Sequence, residues 1–208
     1  MMRIGVVADT HCPEFLERLP AELPRVLAGV DLILHAGDVG GPGGEETIAE
    51  LARIAPVEAV RGDHDRGLDL PASRVVEVAG RRIGLVHGNR ARVIEEPATF
   101  VGTVSLGHLW PTVGIRAWLL RRFPDADVVV YGHTHAADVR RLGKTLVFNP
   151  GAVYQVTPEE ARARLENRPG WFEWSWLQVM RRRRRWPTPT VGLLEVRDRG
   201  ITASILPL

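Results

Sequence analysis

One cysteine, Cys12, among 208 residues leaves no disulfide framework within the chain, and a reducing cytoplasm is the compartment that fits. Lysine is almost missing too. Lys144 stands alone against abundant arginine, a bias we assign to genomic base composition before chemistry. No stretch reaches the roughly 18 apolar residues that a membrane span needs. The opening Met1-Met2-Arg3-Ile4-Gly5-Val6-Val7 has no charged stretch followed by a long apolar run, so no signal peptide is expected. A large charge of one sign is also lacking. The net charge is +2, which says little about partners. Hydrophobic residues make up 45%, enough for a core, and the length suits one domain. Internal repeats and low-complexity linkers are missing as well.

Short β-branched runs alternate with helical patterns in the first half. Ile4 to Ala8, Leu32 to His35 and Val57 to Val60 read as strands. Between them, Glu14 to Ala28 reads as a helix made irregular by Pro20 and Pro24, and Glu45 to Ile54 as a second one behind Gly43-Gly44. This β-α-β-α-β order predicts an α/β layered fold with parallel strands. Hairpins follow at Val75 to Val86 around Gly80 and at Asp138 to Phe148 around Gly143. A helix at Ile115 to Arg122 and a buried strand at Val128 to Tyr131 separate them. Two strands, Val191 to Val196 and Ile201 to Ile205, close the chain around Asp198-Arg199-Gly200.

A polar cluster lies just past each of five apolar strands. These are Asp9-Thr10-His11, Gly37-Asp38, Gly62-Asp63-His64-Asp65, His87-Gly88 and Gly132-His133-Thr134-His135. In open α/β sheets, ligands bind beyond the carboxyl ends of the strands, so the clusters converge on one edge. At a strand end, residues i and i+2 can point to one side, which pairs Asp9 with His11 and His133 with His135. Mixed carboxylate and imidazole donors suit manganese, iron or zinc better than calcium. Seven such ligands can hold two ions about 3.5–4 Å apart with one carboxylate bridging. A lone Asp-x-His is most often a capping aspartate beside a surface histidine, and a lone Gly-Asp a turn. All five together, in order and each after a strand, are specific.

That order resembles the calcineurin-like metallophosphoesterases, in the small bacterial and archaeal phosphodiesterase branch that includes the Vps29 type of retromer subunit. The resemblance spans roughly residues 3 to 153 and the final strands. It implies a two-sheet β-sandwich flanked by helices, as a single metallophosphoesterase domain over 1–208 with insertions at about 89–124 and 154–190. It further implies a dinuclear centre in which Asp9, His11 and His135 bind one divalent metal and Asp63, His87 and His133 the other, with Asp38 bridging. Manganese is the first assignment, with iron, zinc or nickel as alternatives. Hydrolysis of a phosphodiester or phosphomonoester by a bridging hydroxide is the implied reaction. His64 would protonate the leaving oxygen, and Asp65 would orient His64. Asn149-Pro150-Gly151 resembles a family loop that is mostly structural.

One departure matters. The family usually carries asparagine where this chain has Asp63, and Vps29-type scaffolds carry aspartate there. Those scaffolds lack the following histidine, which this chain keeps as His64. An enzyme is therefore the first reading. A Vps29-like protein-interaction scaffold with a vestigial metal site is the rival, and a nuclease using the arginine-rich segment is another. His35 reads as a packing residue or a support behind the ligands, Cys12 as a small buried residue, and His108 as a loop or core residue, with lining of the cleft as the alternative.

Two segments exceed what the resemblance requires. Asn89 to Pro124 would shape the substrate cleft. Tyr154 to Thr190 holds four of the six tryptophans and five consecutive arginines, Arg181 to Arg185. Glu159 to Asn167 reads as a helix capped by Thr157 with Pro158 at its first position, broken by Pro169-Gly170. Trp171 to Arg185 reads as a second helix with Phe172, Trp176 and Met180 on one face. Packing on the domain or on a second subunit, as a homodimer through 171–186, is the plain reading. Nucleic-acid contact and membrane-surface contact are the alternatives.

Overall fold

The structure is a computed structural model that describes residues 1–90, 94, 97, 100–101, 114–181, 186–198 and 200–208. The cleft-lining expectation for His108, the helical reading of Arg182 to Arg185, the stacking of Phe172 and the turn residue Arg199 lie outside the described residues and side chains.

Ten strands form two five-stranded sheets. The first sheet is ordered β10-β9-β1-β2-β3, with β1 Met2–Val7, β2 Leu32–His35, β3 Val57–Ala59, β9 Thr190–Arg197 and β10 Gly200–Pro207. The second is ordered β4-β5-β6-β8-β7, with β4 Ser73–Val78, β5 Arg81–Val86, β6 Val128–Val130, β7 Asp138–Leu142 and β8 Thr145–Asn149. Both are mixed. β1, β2 and β3 run parallel, as do β5, β6 and β8, whereas β9 and β10 add antiparallel strands to the β1 edge. The parallel strands β2, β6 and β8 are buried along their whole length, the pattern of buried parallel sheet.

Side chains from the facing sides of the two sheets make the main core. Ile4, Val6 and Leu34 of the first sheet meet Ile83, Leu85, Val130 and Phe148 of the second in one buried cluster. A second cluster covers the other side of the first sheet. There Val7 and Ile33 pack with Leu23 and Leu27 from helix α1 and its end, and with Leu51 of helix α2, Gly44–Ala52. Helix α1 is only Leu23–Val26, with Pro24 in its first turn. The long helix expected from Glu14 does not form. Residues 14–19 make turns and bends instead, because Pro20 and Pro24 deny the backbone donors that a continuous helix needs. This correction decides where Glu14 points. Helix α3, Ile115–Arg122, ends at Phe123, whose ring fills the space beside Gly84 of β5, where a Cβ would lie 2.6 Å from it.

Residues Met1–Asn89, Arg116–Tyr154 and Pro189–Leu208 form one compact unit, and Arg90–Ile115 with Gln155–Thr188 a second. In the second unit, helix α4 is Pro158–Glu166, with Thr157 Oγ1 accepting from Glu160 N at 3.1 Å, and helix α5 is Trp171–Arg181. Arg164 ties them, donating to Glu173 Oε1 at 2.6 Å and lying over the Trp176 ring. Leu177 and Met180 are buried, whereas Trp171 and Trp174 are exposed, with Phe100 stacked on Trp171. Among the described residues, no helix is long and apolar enough to cross a membrane.

Candidate metal centre

The five polar clusters leave β1, β2, β3, β5 and β6 within the first compact unit. Their backbones turn abruptly. Asp9, His11, Asp38, His133 and His135 all have positive φ, between 46° and 67°. Non-glycine residues pay of order 1–3 kcal/mol each for that conformation, and such strain concentrates at functional sites. Here it has a purpose. Left-handed residues at 9 and 11 turn Asp9 and His11 toward one donor set, and those at 133 and 135 divide His133 and His135 between two.

Two donor sets result. Ligand atoms of Asp9, His11 and His135 lie within 4.8 Å of one another, and so do those of Asp63, His87 and His133. Asp38 stands between them. Its Oδ2 is 3.7 Å from His11 Nε2 and 3.2 Å from His87 Nε2, while its Oδ1 accepts the His64 backbone N–H at 2.9 Å. The structure thus brings together all seven residues singled out from the sequence, in the same two groups.

Neighbouring atoms hold each donor. Asp9 accepts the His133 N–H at 3.1 Å on each carboxylate oxygen, and its backbone carbonyl accepts from Tyr154 N. The His87 Nδ1–H donates to Ala36 O at 2.8 Å, which turns Nε2 toward Asp38 and Asp63. Asn149 donates to Gly132 O and accepts from Gly151 N, bracing the loop that carries His133 and His135. Glycine supplies room more than flexibility. A Cβ on Gly62 would collide with the Asp38 carboxylate, and one on Gly132 would lie 2.8 Å from Asp9 Oδ2. Gly37 adds a φ of 87°, and a Cβ there would meet the His87 ring at 2.8 Å.

Burial and charge pull these groups in opposite directions. Burial pushes Asp9 up to about 7; His87 opposes the rise and Asp38 adds to it. Burial would also raise Asp38 and Asp63, yet the imidazoles beside them hold both carboxyls well below the usual range. His87 goes well above its ordinary value, because Asp38 and Asp63 outweigh its burial. Burial, with His11 adding to it, pushes His135 down to about 3, so it stays a neutral donor. Carboxylates beside imidazole nitrogens are the donor chemistry of a divalent cation, which would take the place of the extra proton on His87 and offset the cost of keeping Asp9 ionised. The residues therefore fit the metals the motifs imply.

Two expectations change. Asp65 does not meet His64. Its Oδ1 accepts from the backbone N–H groups of Val39, Gly40 and Gly41, and its Oδ2 from Gly62 N at 2.8 Å. Asp65 is buried and pins the Asp38 loop to the Asp63 loop. The carboxylate at His64 is Glu14, which the sequence reading passed over as the start of a helix. It sits 2.9 Å from His64 Nδ1 and 3.1 Å from His11 Nδ1. Its spacing three residues after His11 was a usable signal, because turns as well as helices bring i and i+3 together. Phe15 was missed too. Its ring packs on His11, His64 and Tyr154 at 5.1–5.8 Å. His35 is buried and belongs to neither donor set. Gly37 N–H donates to its Nδ1, so its Nε2–H donates to Thr10 Oγ1 at 3.0 Å, and Thr10 in turn donates to Val39 O. Cys12 is buried, as expected.

A calcineurin-like phosphoesterase superfamily domain matches residues 2–166. A probable metallophosphoesterase of Methanothermobacter thermautotrophicus is 36% identical over 153 residues, covering 73% of this chain and 77% of that one. Among solved structures, wild-type Vps29 of Entamoeba histolytica complexed with zinc shares the fold. Its TM-score is 0.63 at 21% identity, over 99% of each chain. A novel archaeal phosphodiesterase aligns with a TM-score of 0.51 at 19% identity, over 99% of this chain and 100% of that one. The motif residues from Asp9 to His135 all fall inside the matched domain, and the chain belongs to the calcineurin-like phosphoesterase superfamily.

Proposed function

We propose that this protein hydrolyses a phosphodiester, or a phosphomonoester, with two divalent cations held by the seven clustered residues. The observation that carries this reading is the pair of donor sets meeting at Asp38, whose Oδ2 faces His11 on one side and His87 on the other. Asp9, His11 and His135 would hold one ion and Asp63, His87 and His133 the second, with Asp38 contacting both. Bound there, such ions lower the pKa of a water and offset the charge of a phosphate. Manganese suits the mixed oxygen and nitrogen donors, and the zinc complex of the Vps29 relative makes zinc the second metal to try.

The chain's own residues do the remaining work. Asp38 and Asp9 keep their carboxylates in place through the His64 and His133 backbone amides. His64, with a side chain 38% exposed, stands at the rim as the proton donor to the leaving oxygen. Its ring lies edge-on to His11 at 4.7 Å, beside the first donor set.

A second reading has one observation behind it. Asp63, in place of the usual asparagine, adds negative charge that would repel an anionic substrate, and a Vps29-like interaction scaffold would tolerate that. His64 and its carboxylate partner favour the enzyme. The test is hydrolysis of bis-p-nitrophenyl phosphate and p-nitrophenyl phosphate by metal-stripped protein refilled with manganese, beside His64→Ala. Manganese-dependent turnover supports the enzyme, with His64→Ala slowing these good-leaving-group esters only a little, and the ratio of the two rates separates diester from monoester. Protein that binds ions but turns over neither ester supports the scaffold.

A further inference from the structure

Glu14 lies outside both donor sets, and its carboxylate groups instead with His11 and His64, their ligand atoms within 4.8 Å of one another. One oxygen lies 3.1 Å from His11 Nδ1, and both lie 2.9–3.0 Å from His64 Nδ1. The turn following His11 places it there: Phe15 N and Leu16 N both donate to His11 O, folding the chain back over that residue. Phe15 then packs its ring against the two imidazoles that Glu14 joins. His11 Nε2 faces Asp38, so Nδ1 is its outer nitrogen. For His64, the nitrogen that Glu14 leaves unengaged is Nε2.

We propose that Glu14 is a positioning residue that fixes the His64 ring by accepting its Nδ1–H, so that Nε2 delivers the proton to a poor, alkoxide-like leaving group. This rests on the phosphoesterase reading above and narrows it to esters whose leaving oxygen must be protonated as the P–O bond breaks. The electron pair of that bond goes to the leaving oxygen, which takes the Nε2 proton and departs as an alcohol. The attacking water supplies the new P–O bond and gives up one proton to solvent. An ester with a good leaving group departs as the anion and has little need of His64. At saturating metal, where the contact to His11 Nδ1 no longer limits ion binding, Glu14 acts on turnover through His64, so its removal must reproduce the loss of His64 in kind.

The experiment compares wild type, Glu14→Ala, Glu14→Gln, His64→Ala and the Glu14→Ala/His64→Ala double variant at saturating manganese. The substrates are methyl aryl phosphate diesters whose leaving phenols run from p-nitrophenol to unsubstituted phenol. Glu14→Ala should lose less than about threefold on the nitrophenyl ester and roughly ten- to a hundredfold on the phenyl ester, within the about 10²–10⁴-fold that a positioned acid contributes. Glu14→Gln, which keeps an acceptor oxygen, should recover part of that loss. The double variant should be no worse than His64→Ala. A readout independent of turnover is the imidazole proton spectrum of the zinc-loaded protein. A slowly exchanging Nδ1–H on His64 should be present in wild type, lost in Glu14→Ala and kept in part in Glu14→Gln.

Three results would overturn the inference and leave the phosphoesterase reading standing. They are equal losses on all the esters in Glu14→Ala, no protected Nδ1 proton on His64, or a third bound cation that Glu14→Gln removes. If the wild type binds metal and hydrolyses none of the esters, both readings fall.

Discussion

His87 Nε2 lies 3.2 Å from Asp38 Oδ2 at the seam between the two donor sets, and the other ring nitrogen of His87 is tied to the Ala36 carbonyl at 2.8 Å. That tie fixes which nitrogen faces Asp38 and Asp63. It comes from the backbone of β2's own exit loop, so the ligand and the loop that presents Asp38 move as one piece. Outer contacts of this kind commonly carry about 10–100-fold in metal affinity.

The same loop depends on Gly62. Gly62→Ala drives a methyl into the place of the Asp38 carboxylate. The fold should lose about 1–3 kcal/mol, the ordinary cost of overpacking. Metal binding should fall more than stability does, because the displaced group is the carboxylate proposed to serve both ions. Denaturant unfolding and a metal titration on the same variant check both.

Asp65 separates bracing from catalysis. Asp65→Ala strips one carboxylate from four backbone N–H groups in the Asp38 and Asp63 loops. A loss of about 3 kcal/mol is expected, since buried donors left unsatisfied cost about 1–3 kcal/mol and bonds to charged groups are the stronger ones. Turnover should fall alike for good and poor leaving groups. A steeper loss with poor leaving groups would show that Asp65 serves His64 after all.

Asp63 sits 3.0 Å from His87 Nε2 and 3.4 Å from His133 Nδ1, and these imidazoles hold it well below the usual carboxylate range. Replacing the carboxylate by an amide removes negative charge at the ions. Asp63→Asn should retain the second ion less tightly, by about tenfold or more. It should also turn over faster once metal is saturating. Metal titration and kcat at saturating manganese check this, and a variant that binds metal as before with lower kcat would contradict it.

Much of this site is legible in the sequence because each ligand follows an apolar strand. Asp9, Asp38, Asp63, His87 and His133 could be placed by strand order alone. Glu14 could not, because its position depends on a turn that forms only where Pro20 and Pro24 prevent a helix. Asp65 misled for a related reason. Its neighbour in sequence is His64, whereas its partners in space are amides of residues 39 to 41, which only the packing of two loops reveals. Left-handed φ at Asp9 and His11 was invisible too, since local preference argues against it and tertiary contacts impose it.

His35 gives a pH signature. Burial lowers its folded pKa to about 4, against 6.5 in the unfolded chain. Between those values the unfolded chain binds the extra proton, so stability rises with pH. The contribution is complete above pH 6.5 and is lost as pH falls through about 4, amounting to on the order of 3 kcal/mol. The difference between wild-type and His35→Gln unfolding free energies should shrink over that window. A difference that stays constant from pH 7 to 4 would place the charge elsewhere.

The most direct test of the two-ion account is turnover of bis-p-nitrophenyl phosphate followed as manganese is added, equivalent by equivalent, to metal-stripped protein. The account predicts little activity at one ion per chain, a plateau at two, and no plateau in Asp38→Asn. Two ions bound without turnover, or activity complete with the first, would contradict it.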